Sequence, residues 1–85
     1  MARFENRVHD SLESIATFVS DKDVMCKSAN TTMVIRGTEE ILESITDDIK
    51  NIICQTFDTT KAHKICKMNY HGECLFIRFK REIHC

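Results

Sequence analysis

The sequence predicts a small α+β domain of order αββαββ, with two helices packed on one face of an antiparallel sheet. Three observations carry that prediction. Two stretches repeat their apolar residues at helical spacing, Phe4, Val8, Leu12, Ile15, Val19 and Ile41, Leu42, Ile45, Ile49, Ile52, Ile53. A short segment rich in β-branched residues, centred on TTMVIRG, separates them. After the second comes an alternating stretch, AHKICKMNYHGECLFIRFKREI, the period of a half-buried strand pair.

The first stripe predicts a helix over residues 3–20, with Glu5, Asn6, Asp10, Glu13 and Thr17 on its wetter side and the polar SDKD stretch ending it. Val24–Lys27 and Thr31–Arg36 then read as the arms of a hairpin turning at Ser28-Ala29-Asn30, and Gly37 closes the second arm. Thr38 is placed to cap the second helix, and Glu39 and Glu40 sit in its first turn, where unpaired N–H groups and the helix dipole favour negative charge. That helix should run to about residue 56, followed by a loop at Asp58-Thr59-Thr60. In the final hairpin a turn at His71-Gly72 would use the glycine's tolerance of positive φ. It would set Met68 opposite Leu75, Cys66 opposite Ile77 and Lys64 opposite Phe79. One face then carries Cys66, Met68, Leu75, Ile77 and Phe79 as core, and the other His63, Ile65, Lys67, Asn69, Cys74, Phe76, Arg78 and Lys80.

Eighty-five residues make a single domain, 1–85, with a core small enough that disulfides, a metal or a second subunit often supplement it. A hydrophobic fraction of 42% with 29% charged residues is ordinary for a globular chain. No apolar run approaches the roughly 20 residues of a membrane span, and the N-terminal segment lacks the apolar centre of a signal peptide. Together with five cysteines, an odd number, this leads us to expect free thiols in a reducing, cytoplasmic setting. Cys85 ends the chain without the three following residues that prenylation requires. The net charge of −1 conceals a polarity: residues 38–58 hold one basic group against six acidic ones, whereas residues 61–85 hold six basic against two acidic.

The one internal repeat visible in the sequence is a His/Cys pair three residues apart, His63/Cys66 and then His71/Cys74. Four such side chains have the types and number of a tetrahedral zinc site. In a strand, however, residues three apart point to opposite faces, so His63 and Cys66 should diverge. The same argument separates Cys66 from Cys74 and makes a disulfide between them a poor fit. We therefore expect no bound cofactor, with a zinc-stabilised module using His63, Cys66, His71 and Cys74 as the last-ranked alternative.

No catalytic constellation is visible. No histidine and cysteine are marked out as base and nucleophile, and two glycines cannot build a phosphate-cradling loop. The first-ranked expectation is a non-enzymatic regulatory or interaction protein, a homodimer, that acts by stoichiometric binding. An inhibitor of a nucleic-acid-handling protein would fit, by analogy with small proline-free accessory proteins of phages and mobile elements. Its contact surface would be the acidic side of the second helix, Glu40, Glu43, Asp47 and Asp48, or a dimer seam formed by Ile65 and Phe76. The alternative is an RNA or single-stranded DNA binder using Lys67, Phe76, Arg78 and Lys80, basic groups around an aromatic on an open sheet. The segment TTMVIRGTEEILESITDDI, about 20 residues, resembles the strand, glycine and acidic helix of the RNA-binding KH family. The Gly-x-x-Gly loop of that family occurs nowhere in the chain, and no residue role is carried over.

Overall fold

A computed structural model describes residues 3–80, and their order is the expected αββαββ. Helix α1 spans Arg3–Val19, strand β1 Met25–Ala29, strand β2 Thr32–Arg36, helix α2 Glu39–Phe57, strand β3 Cys66–His71 and strand β4 Cys74–Phe79. The four strands form one antiparallel sheet in the order β1-β2-β4-β3, so the two hairpins meet along β2 and β4. Both helices cover the same face.

The helices form where the stripes lie. Val8, Leu12, Ile15 and Val19 of α1 are buried, and so are Leu42, Ile45, Ile49, Ile53 and Phe57 of α2. They pack onto the inward row of the sheet, Met33, Ile35, Leu75, Ile77, Phe79 and Cys66. Each fully buried aliphatic side chain contributes about 1.5–3 kcal/mol relative to leaving it exposed. Thr38 caps α2 as expected, its hydroxyl accepting from Ile41 N at 3.3 Å. At the other end Asp58 turns left-handed (φ 53°, ψ 50°) and donates its N–H to the last carbonyls of the helix. Arg7 of α1 donates to Phe57 O at 3.2 Å, which places a cation where the α2 dipole is negative. Beside it the rings of Phe4, Phe57 and Phe79 follow one another, Phe4 tilted against Phe57 (centroids 5.8 Å apart) and Phe57 stacked on Phe79 (5.9 Å), and close that end of the core.

Several local expectations are corrected. Ser28 and Ala29 belong to β1, and the turn is Asn30-Thr31, with Asn30 at φ 54°. In the second hairpin the two turn residues are Gly72-Glu73, with Gly72 at φ 64°, so positive φ falls on the first turn position in both hairpins. This moves the β3/β4 register: Met68 faces Ile77, Cys66 faces Phe79 and Tyr70 faces Leu75. Because each partner moves by two residues, the residues within β3 and β4 keep their expected faces, whereas His63, Ile65 and Lys80, expected on the outer face, lie outside the strands. Residues 62–64 are not strand but a one-turn 3₁₀ helix, Ala62–Lys64. The backbone bends there because Lys64 N and Ile65 N turn back to Lys61 O and Ala62 O. Ile65, expected at an exposed seam, is instead half-buried against the core.

The sheet also contains an internal symmetry. Exchange Met33 with Leu75, Ile35 with Ile77 and Lys27 with Asn69. The pair Met33–Ile77 then becomes Leu75–Ile35, and Lys27–Val34 becomes Asn69–Phe76; all four pairs are present. The Val34–Phe76 pair maps onto itself. An axis normal to the sheet at that pair therefore relates the two hairpins, each preceded by its own helix. The register reveals it, and the equivalent residues partly agree in type: Ile35 matches Ile77 and Arg36 matches Arg78, whereas Lys27 and Asn69 differ.

Candidate binding face and neighbouring cleft

The face of the sheet away from the helices is uncovered by any described residue. Its residues stand in three rows across the strands. The outer rows are Met25, Arg36, Cys74, His71 and Ala29, Thr32, Arg78, Lys67, and the central row is Lys27, Val34, Phe76, Asn69. Lys27, Arg36, Lys67 and Arg78 are cationic, and no row contains a carboxylate. In the middle Phe76 remains 36% exposed although it lies on a central strand, and Met25 at the edge is 64% exposed. The surface thus offers an aromatic face framed by positive charge.

Of the sequence-derived basic set, Lys67, Phe76 and Arg78 lie together on this face, since Lys67 pairs with Arg78 and Phe76 is two residues away along β4. Lys80 lies past the end of β4, its N–H bonded to Ile65 O at 2.8 Å. Its side chain lines a cleft of about 660 Å³ between α2 and β3, together with Lys50, His63, Cys54 and Cys66 and with Lys67 at the rim. Lys27 and Arg36 were missed by the sequence reading, which confined the face to the final hairpin. The alternation of Thr32, Val34 and Arg36 against Met33 and Ile35 carries the signal that would have found Arg36.

The acidic set is arranged as expected along α2. Glu40, Glu43, Asp47 and Asp48 are all exposed, and none of them forms an ion pair among the described residues. The molecule is therefore negative on one helix and positive on the open sheet. Tyr70 ties the two layers together at the β3 edge. Thr46 Oγ1 donates to Leu42 O at 2.8 Å, so the proton in its contact with Tyr70 comes from the tyrosine hydroxyl.

The four His/Cys side chains of the doubled motif point to different places. Cys66 is buried in the core, His71 and Cys74 face each other on the open sheet, and His63 sits on the 3₁₀ turn by the cleft. Among the described residues no three His, Cys, Asp or Glu side chains gather as metal ligands. Cys26, Cys54, Cys66 and Cys74 are free thiols. Burial, with a smaller push from Cys54 and against the pull of Lys50, raises the Cys66 thiol to about 11. Burial alone raises Cys26. Neither is therefore primed as a nucleophile at neutral pH. Among the described residues no helix is long and apolar enough to cross a membrane.

Comparison with protein families, curated proteins and solved structures finds no match to this chain.

Proposed function

We propose that this chain is a non-enzymatic binding protein whose open sheet face takes single-stranded nucleic acid. One observation carries the reading: four cations and no carboxylate surround a half-exposed Phe76 on an uncovered four-stranded sheet. Bases stack on such a ring irrespective of sequence, and phosphates pair with the surrounding Lys and Arg side chains. The same charges argue against two copies meeting face to face, because like charges would be brought together with no counter-charge between them.

A second reading keeps the regulatory, inhibitor-like role and assigns it to α2. Its support is the row of exposed, unpaired carboxylates Glu40, Glu43, Asp47 and Asp48, a surface suited to a basic protein partner. A titration tests the first reading. Fluorescent oligonucleotides of mixed sequence are added to the protein at low salt, and the affinity is followed as salt rises. The nucleic-acid reading expects saturable binding that weakens steeply with salt and is lost in Phe76→Ala combined with Arg78→Ala. Oligonucleotide binding that survives those changes, or no binding at all, rejects it.

A further inference from the structure

The axis through Val34–Phe76 has a consequence for how a strand would lie. Arg36 and Arg78 are exchanged by it: Arg36 pairs with Met25 and Cys74, Arg78 with Lys67 and Thr32, in equivalent positions on the two central strands. Each lies two residues from the central pair, in opposite directions along antiparallel strands. From the rise of a strand and the spacing between strands, their Cα atoms lie about 14 Å apart on a diagonal across the sheet. Side chains stand roughly perpendicular to a sheet, so the two guanidinium groups remain apart, with Phe76 and Val34 between them.

We infer that Arg36 and Arg78 are paired anchors for two non-adjacent phosphates of one nucleic-acid strand, with a base between those phosphates stacked on Phe76. The inference rests on the nucleic-acid reading above and adds to it a residue, Arg36, and a footprint. Guanidinium groups suit the task because each presents a planar fork of donors to phosphate oxygens and keeps its charge at any physiological pH. Val34 takes the place of a second aromatic at the axis, so one base is stacked rather than two. Lys27 and Lys67 flank the diagonal on the outer strands and add charge without fixing the footprint.

The test measures the slope of log K against log salt for a short single strand. Each phosphate contact contributes about 0.7 to that slope for single strands. Arg36→Gln and Arg78→Gln should each reduce its magnitude by about 0.7, by equal amounts, and the double variant by about twice that. Arg36→Lys and Arg78→Lys should retain the slope, since the charge remains. Lys61→Gln, which removes the same charge from the loop after α2, should leave the slope as it was. Strands long enough to set two phosphates about 14 Å apart should bind distinctly better than a mononucleotide. Nuclear magnetic resonance spectra of each variant establish that the fold is kept. A slope that falls for Arg78→Gln but not for Arg36→Gln overturns the pairing and leaves the nucleic-acid reading standing. An unchanged protein that binds no oligonucleotide removes both.

Discussion

Two side chains, Ser11 and Cys66, show how burial shapes chemistry. Ser11 of α1 is completely buried, and its hydroxyl has no hydrogen-bond partner among the described residues. An unsatisfied buried hydroxyl costs about 1–3 kcal/mol, and serine is also a poorer helix former than alanine. Ser11→Ala should therefore stabilise the protein by about 1 kcal/mol, seen as a melting temperature higher by about 4–8 °C; a lower one would contradict this account of the site. Cys66 makes a prediction in pH. Its thiol titrates at about 11 in the fold against 9.0 as the reference, so the unfolded chain loses its proton first. The contribution is intact below pH 9 and fades as pH rises through about 11, with a magnitude on the order of 2 kcal/mol. Urea unfolding between pH 8 and 11 should show that loss, and Cys66→Val should flatten it. A variant as sensitive to alkali as the parent protein would assign the effect to other groups.

The elements differ in how openly the chain declares them. The second helix is written twice over, by its isoleucine stripe and by Thr38-Glu39-Glu40, because periodicity and capping are local. Its end is less plain: Asp58 adopts a left-handed conformation that glycine reaches without strain, and it places a carboxylate at the negative end of the dipole. Asp58→Gly should accordingly raise stability by about 0.5–1 kcal/mol in chemical denaturation, whereas a loss would mean that the aspartate has a stabilising role. Residues 62–65 were expected to continue the strand that follows them, although Ala-His-Lys-Ile runs apolar, polar, polar, apolar and does not itself alternate. What bends them is a pair of backbone bonds, which side-chain type does not encode. The hairpin turn differed by one residue for a similar reason, since Gly72 serves the first turn position as readily as the second. The core rows were nonetheless legible, because a two-residue change of partner keeps every side chain on its own side. Gly37 was legible only as a strand terminator. A Cβ there would come within 2.7 Å of Val24 Cγ1, a close approach set by chain segments thirteen residues apart.

At the scale of the molecule, the sequence could suggest a basic patch but not its extent. Lys67, Phe76 and Arg78 lie close in the chain, whereas Arg36 joins them only through the pairing of β2 with β4, which sequence periodicity leaves open. The charge separation was visible along the chain as an acidic middle and a basic tail. Folding turns it into two surfaces, an acidic helix on one side and a basic sheet on the other, which is what gives each proposed partner its own place to dock. The hairpin equivalence also gives the molecule an experimental control of its own. Met33 and Leu75, or Ile35 and Ile77, occupy matching stations within one polypeptide. The same truncation made at both separates what a side chain is worth from what its surroundings are worth, without recourse to a second protein.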